Sequence, residues 1–143
     1  MTQPDIRWIQ RFQNYQKALD QLTKFIAQGD LNELEEQGLI QSFEYNHELA
    51  WKTLKDFLED KGAAKLYGSK DVSREAFTQG LLGDTERAGS LWLDMIEKRN
   101  LTSHTYNQET AKAIVSAIVD EYFDAFVALR TRLQGLAEQE TAT

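Results

Sequence analysis

The sequence predicts an all-α fold, an antiparallel up-and-down four-helix bundle with one additional short helix. Its single Pro is at position 4, and most of its eight Gly fall between periodic segments, which leaves long stretches without a helix breaker. Along those stretches apolar residues recur every three to four positions, and no segment alternates as a strand does. Because 143 residues suffice for one domain, we expect a single bundle over residues 1–143.

The first half of the chain is predicted to form two long helices. The first runs from Pro4 or Asp5 to about Gln28, and the second runs from near Asn32 to a stop at residues 61–62. The connection between them is short, which favours antiparallel neighbours. The apolar stripes that predict these helices are Ile9, Phe12, Tyr15, Leu19, Leu22 and Ile26, then Ile40, Phe43, His47, Ala50, Leu54 and Phe57.

The middle of the chain is predicted to hold a connector and two further helices. Residues 62–72 contain two Gly and no helical stripe, so we expect a connector there. Asp71 or Ser73 can cap a short helix from Arg74 to about Leu82, and Asp84 can cap the helix that follows. The stripe of that following helix is Ala88, Trp92, Met95 or Ile96, and Arg99.

The last helix is predicted from about Asn107 to Leu136, with either Thr105 or Asn107 as its N-cap. We expect residues 137–143 to form a frayed tail. The apolar face is too wide for one seam, so we expect part of it to pack in the bundle and part against a second copy in a homodimer. Its two stripes are Ile114, Ile118, Tyr122, Leu129 and Leu133, beside Val115, Val119, Phe123 and Phe126.

The composition limits the chemistry that the chain can perform. With no Cys there is no disulfide, thiolate metal site or cysteine nucleophile, which suits a reducing cytoplasm. We expect a soluble, cytoplasmic protein, because no apolar run approaches the ~20 residues that a membrane span needs. A net charge of −7 argues against indiscriminate binding to nucleic acid. The Gly-rich nucleotide-binding motifs and the G-x-S-x-G hydrolase motif are absent from the sequence.

A polar segment from Arg99 to Tyr106 contains the candidate catalytic residues. Arginine presents a fixed fork of donors to phosphate oxygens, and an imidazole exchanges protons near neutral pH. Cleavage of RNA without a metal needs a base for the 2′-hydroxyl, an acid for the leaving oxygen and positive charge for the transition state. Arg99 and His104 can supply that charge and one proton transfer, while Asn100 or Ser103 orients the imidazole or contacts a phosphate.

Structural explanations for the same residues remain open. Arg99 can pair with a carboxylate at its helix end, and His104 can cap a turn. His47 lies in the apolar stripe of the second helix, where a histidine either packs in the core or supports a site nearby. Glu44 and Glu48 flank it as carboxylate partners. We expect no metal, because these residues lack a metal-binding spacing.

Three separated stretches between residues 43 and 107 carry a recognisable pattern in their order and spacing. They are FEYNHELAWK at residues 43–52, SREAF at residues 73–77 followed by Gly80–Leu82 and Trp92, and RNLTSHTYN at residues 99–107. Together these stretches resemble the nucleotidyltransferase substrate-binding proteins, that is, the HepT-like proteins of the HEPN superfamily.

The resemblance implies a dimeric helical bundle that acts beside a minimal nucleotidyltransferase, MNT, in a toxin–antitoxin pair. It implies that Arg99 and His104 of two subunits form a ribonuclease site that needs no metal or cofactor. It further implies that MNT transfers AMP to Tyr106, where a bulky anionic group beside His104 would block the RNA phosphate.

Two alternatives remain open beside the ribonuclease. The chain can be a non-catalytic subunit that recruits an RNA or nucleotide substrate to the nucleotidyltransferase, or a purely structural interaction module. In none of these interpretations is the chain itself the nucleotidyltransferase.

Overall fold

A computed structural model of the protein describes residues 7–104 and 107–141. The all-α prediction is confirmed, because no strand occurs in either range. The elements in chain order are α1 (Arg7–Gln28), α2 (Glu33–Asp60), α3 (Gly68–Thr78), α4 (Glu86–Leu101), a 3₁₀ turn (Thr102–His104), α5 (Gln108–Ala117), a π-helical turn (Ile118–Tyr122) and α6 (Phe123–Thr141).

Four long helical segments form the bundle, and α3 is the additional short helix. Helix α1 runs antiparallel to α2, since Trp8 packs edge-on against Phe57 near the end of α2, with ring centroids 5.0 Å apart. It also packs against α6, where the Tyr15 hydroxyl donates to the Phe126 carbonyl at 2.6 Å. Helix α4 contacts α2 and the π-helical turn, and α3 packs on α2 and α4.

Aromatic side chains from all four long segments fill the core. Phe43 stacks on Tyr122 with centroids 5.5 Å apart, and Trp92 meets Phe126 edge-on at 5.6 Å. Burial of one such ring contributes roughly 1.5–3 kcal/mol, so these contacts supply much of the force that holds α2 and α4 against the last helix. The largest fully buried side chains include Trp8, Trp92, Tyr15, Tyr122, Phe12, Phe43 and Phe126.

Helix α2 begins and ends where the sequence predicts, because its ends are set by residues within one turn of each end. Asn32 caps the first turn, accepting from the Glu35 backbone N–H at 2.8 Å, while the Glu35 carboxylate accepts from the Asn32 N–H at 2.9 Å. At the other end Gly62 adopts φ +97°, a left-handed conformation that glycine tolerates. Its N–H and that of Ala63 then bond back to the last turn and end the helix.

The predicted bounds of the short helix were wrong at both ends. Helix α3 begins before Asp71, whose carboxylate accepts from the Tyr67 backbone N–H at 3.3 Å instead of capping a later helix. It ends because Gly80 takes φ +76° and its N–H bonds to Phe77. The buried Leu81 and Leu82 therefore follow the helix as core anchors and are not part of it.

The N-caps of the next two helices also differ in part from the prediction. Thr85, and not Asp84, caps α4, because its hydroxyl oxygen accepts from the Ala88 backbone N–H at 3.1 Å. Asn107, one of the two predicted alternatives, caps α5 by accepting from the Glu109 N–H at 2.9 Å. The other alternative, Thr105, lies outside the described residues.

The last helix extends past the predicted end at Leu136. Residues 137–141 are helical and not frayed, because the Glu140 carboxylate accepts from the Trp8 indole at 3.2 Å, and residues 142–143 of the predicted tail lie outside the described residues. The π-helical turn adds a residue to one turn and shifts the two apolar stripes relative to the core. As a result Phe126 of the second predicted stripe is buried, whereas Val119 is 44% exposed.

Candidate functional site

Arg99 lies in the last turn of α4 and meets residues from two other parts of the fold. Its guanidinium Nη1 is 3.3 Å from the Glu44 Oε2 of α2, and the Arg99 side chain is 40% exposed. The same nitrogen donates to the Thr102 hydroxyl oxygen at 3.2 Å, and that hydroxyl donates to the Arg99 backbone carbonyl at 2.8 Å. Thr102 therefore bends the side chain back over its own helix end.

These contacts leave one edge of the guanidinium available. Within residues 7–104 and 107–141, both partners of Arg99 use Nη1, and none bonds to Nε or Nη2. The edge formed by Nε and Nη2 is one of the two that bind an oxyanion through paired hydrogen bonds. Arg99 can thus keep its ion pair with Glu44 and still bind a phosphate.

His104 ends the 3₁₀ turn that follows α4, five residues after Arg99. It is exposed, as are Asn100 and Ser103, while Thr102 in the same stretch is buried. The His104 carbonyl accepts from the Asn107 N–H at 3.2 Å and so joins the turn to the cap of α5. The stretch from the end of α4 to this turn thus contains four of the predicted site residues, namely Arg99, Asn100, Ser103 and His104. Tyr106 lies outside the described residues.

His47 lies in the core of the bundle and not at the surface. It is 2% exposed, with ring centroids 6.1 Å from Phe43 and 6.4 Å from Trp92. Among the described residues neither ring nitrogen has a hydrogen-bond partner. Burial lowers its pKa to about 4, against an opposing effect of Glu48 and with a further lowering by the Arg99 charge. His47 is therefore a neutral imidazole close to Arg99.

The carboxylate of Asp94 joins α4 to the π-helical turn. It accepts a hydrogen bond from the Tyr122 hydroxyl, and its other oxygen is 3.9 Å from the Lys98 ammonium. Burial, followed by the effect of Asp94, raises the pKa of Tyr122 well above its ordinary value. The Lys98 charge is thus directed toward Asp94.

A cleft of about 360 Å³ opens along α2 and reaches Glu44. Its polar lining makes it suited to a ligand with hydrogen-bonding groups. The described residues hold no cluster of three or more His, Cys, Asp or Glu that could bind a metal. In the same ranges, no helix combines the length and hydropathy needed to cross a membrane. The residues that line the cleft are Leu34, Gln37, Gly38, Ile40, Gln41 and Glu44.

Glu44 and Thr102 have roles in the structure that the sequence does not predict. The sequence offers Glu44 as a partner for His47, but in the structure Glu44 pairs with Arg99. The sequence predicts no role for Thr102, although its hydroxyl contacts both the guanidinium and the backbone carbonyl of Arg99. A threonine three residues after an arginine at a helix end is a weak signal for such a contact.

The site lies in the region that the chain shares with known proteins. Residues 10–135 match a family model described as nucleotidyltransferase substrate binding protein like. A Haemophilus influenzae protein named "Probable ribonuclease HepT" is 42% identical over 90 residues. That alignment covers 58% of this chain and 57% of the relative, so the chain spans little more than half of that relative's length.

Two solved structures share the fold. A protein of Thermus thermophilus superposes with a TM-score of 0.76 at 34% identity, covering 83% of this chain and 98% of its own. A Haemophilus influenzae protein superposes with a TM-score of 0.60 at 31% identity, covering 89% of this chain and 96% of its own. The structure of the latter is described as revealing the fold of a substrate binding domain of a nucleotidyltransferase.

Proposed function

Because the chain belongs to the nucleotidyltransferase substrate-binding-like family, we propose that it is the HepT-like partner of an MNT-type nucleotidyltransferase and a metal-independent endoribonuclease. The observation that carries the proposal is the half-exposed Arg99, with one guanidinium edge available, followed five residues later by the exposed His104. Together they offer a phosphate-binding cation and a proton-transfer group in one short segment.

The reaction is transfer of the RNA phosphate to the neighbouring 2′-hydroxyl. A base removes the 2′-hydroxyl proton as the 2′-oxygen bonds to phosphorus, the bond to the 5′-oxygen breaks, and an acid protonates that leaving oxygen. The products are a 2′,3′-cyclic phosphate and a 5′-hydroxyl end. Arg99 stabilises the charge that accumulates on the phosphoryl oxygens.

This reaction needs two proton-transfer groups, which supports a homodimer. The sequence has only two His, and His47 is buried with a pKa of about 4, so each chain offers His104 alone as an exposed imidazole. In the proposed dimer, His104 of one protomer acts as the base and His104 of the other acts as the acid.

Tyr106 is the proposed point of control by the partner. Its phenol oxygen attacks the α-phosphorus of ATP on the nucleotidyltransferase, and pyrophosphate leaves. The attached AMP adds negative charge and bulk two residues from His104, which excludes the RNA phosphate. In this proposal the pair is a toxin–antitoxin system of the cytoplasm, where the cysteine-free chain meets RNA and ATP.

Cleavage of RNA by the purified protein tests the ribonuclease. Without its partner and in EDTA, the wild-type protein should cut RNA, and His104→Ala or Arg99→Ala should lower the rate at least ~100-fold with unchanged helical circular dichroism. Arg87→Ala is the matched control, since Arg87 lies at the other end of α4 and also forms an ion pair, with Glu121. Cleavage that persists in His104→Ala would contradict the assignment.

A second candidate is a non-catalytic subunit that presents a substrate to the nucleotidyltransferase. The similarity to a protein described as a substrate binding domain favours it, as does the net charge of −7. It predicts no RNA cleavage by the wild-type protein, but binding of a nucleotide or acceptor that tightens when the nucleotidyltransferase is present.

A further inference from the structure

The pairing of Arg99 with Glu44 presents a chemical problem for any site that binds phosphate. A carboxylate 3.3 Å from the guanidinium adds negative charge where an RNA phosphate must approach. Such a residue weakens phosphate binding, so we expect it to perform another task in the site.

The contacts of Arg99 indicate what that task is. Glu44 and Thr102 come from different parts of the chain, yet both contact the same guanidinium nitrogen, Nη1. A long arginine side chain has many rotamers, and two partners on one nitrogen restrict it to few of them. The opposite edge, Nε with Nη2, is then held in one orientation.

We propose that Glu44 is a positioning residue that, with Thr102, holds Nη1 of Arg99 so that the Nε–Nη2 edge receives the phosphate. The inference rests on the proposed ribonuclease function and adds the residue that orients its cation. Glu44 contacts neither RNA nor the reacting atoms. Its negative charge lowers the affinity for RNA, but its contact with Nη1 places the positive charge of Arg99 correctly in the transition state.

Loss of Glu44 is therefore expected to weaken catalysis but strengthen RNA binding, so that kcat and KM both fall. Glu44→Ala frees the guanidinium and removes the carboxylate charge, so kcat should fall about 10- to 100-fold while KM for a single-stranded RNA oligonucleotide decreases. Glu44→Gln keeps a side-chain oxygen beside Nη1 but removes the charge. It should restore kcat to within about threefold of wild type while KM stays low.

Thr102 and a distant ion pair supply the further variants. Thr102→Val removes the hydroxyl without changing charge, so kcat should fall with KM unchanged, and Thr102→Ser should restore it. Glu121→Ala is the control, because it also removes one carboxylate that pairs with an arginine of α4, here Arg87, ~18 Å along the helix from Arg99, and should leave kcat and KM unchanged.

Nuclear magnetic resonance of the Arg99 Nε–H tests the positioning without relying on cleavage. In the wild-type protein this resonance should be sharp and should shift on addition of inorganic phosphate, whereas in Glu44→Ala it should broaden. A wild-type protein that cuts no RNA but shows this behaviour refutes the proposed function and supports the positioning. Unchanged kcat and Nε–H signal in Glu44→Ala, or a kcat in Glu44→Gln as low as in Glu44→Ala, would overturn it. If Glu44→Ala fails to fold, Thr102→Val and Thr102→Ser test the proposal, and an unchanged kcat in Thr102→Val would overturn it.

Discussion

The Trp8 indole, in the first turn of α1, donates to both carboxylate oxygens of Glu140 near the end of α6, at 3.3 and 3.2 Å. The same carboxylate forms an ion pair with Lys61 at the C-cap of α2. One side chain therefore joins the ends of three helices. Because Trp8 is completely buried, its indole N–H depends on a protein partner.

Glu140→Ala is expected to lower the free energy of unfolding by about 1–3 kcal/mol, because it leaves a buried indole donor without its acceptor. Urea denaturation followed by circular dichroism measures the change. Glu138→Ala is the matched control, since Glu138 lies on the same helix and its carboxylate accepts from the exposed Gln134 side chain, away from the core. Equal stability of the two variants would contradict the role given to Glu140.

His47 should make the protein less stable as the pH falls. Its pKa is about 4 when folded and 6.5 when exposed, so the unfolded chain binds a proton between these values while the folded chain does not. The free energy of unfolding should therefore be unaffected by His47 above pH 6.5 and should decrease below it, by about 2–3 kcal/mol at pH 4.5.

Replacement of His47 by Phe isolates this effect from the titration of carboxylates. A phenyl ring can pack between Phe43 and Trp92 without binding a proton. Urea denaturation at pH 7.0 and pH 4.5 should show a smaller loss of stability for His47→Phe than for the wild-type protein. Parallel losses in both proteins would mean that the buried imidazole is not responsible.

The parts of the fold that the sequence predicted well are those set by local chemistry. The ends of α2 depend on Asn32 with Glu35 and on Gly62, residues that act within one helical turn of their own position. Helix α3 was predicted wrongly because aspartate is a residue type that favours N-cap positions. In the structure Asp71 lies inside the first turn of α3, and its carboxylate accepts from the backbone N–H of Tyr67, which precedes the helix. Identity of a capping residue does not by itself say which turn it caps.

The site shows the same division between local and long-range signals. Arg99 and His104 could be chosen as candidates because they lie in one short polar segment. The contact of Arg99 with Glu44 joins residues that are 55 positions apart, and it depends on how α2 packs against α4. The π-helical turn likewise follows from tertiary packing, which is why the periodicity of the last helix did not predict that Phe126 is buried.

The crossing of α3 and α4 predicts different responses to alanine at two glycines. A Cβ on Gly89 would lie 2.7 Å from the Phe77 ring, whereas one on Gly135 of α6 would meet nothing within 4 Å. Both substitutions gain helix propensity, about 1 kcal/mol, but only Gly89→Ala must displace a ring. Gly135→Ala should therefore be the more stable variant by about 1–3 kcal/mol in urea denaturation. Equal stabilities would mean that Phe77 moves aside without cost.

The proposed homodimer predicts an interface that includes Val119. This side chain is 44% exposed on the π-helical turn, between the half-buried Val115 and Phe123 of the second apolar stripe. Burial of such a stripe against a second copy would remove it from water. Light scattering at micromolar concentration should give twice the chain mass for the wild-type protein, and Val119→Glu should shift it to the monomer.

Tyr67→Glu provides the control for that substitution, because Tyr67 is an exposed apolar residue in the connector before α3 and lies outside the stripe. It should leave the dimer intact. Since one chain offers a single exposed imidazole, RNA cleavage should be lost in the monomeric Val119→Glu and should be unaffected in Tyr67→Glu. A monomeric wild-type protein that cleaves RNA at full rate would refute both the dimer and the shared acid–base pair.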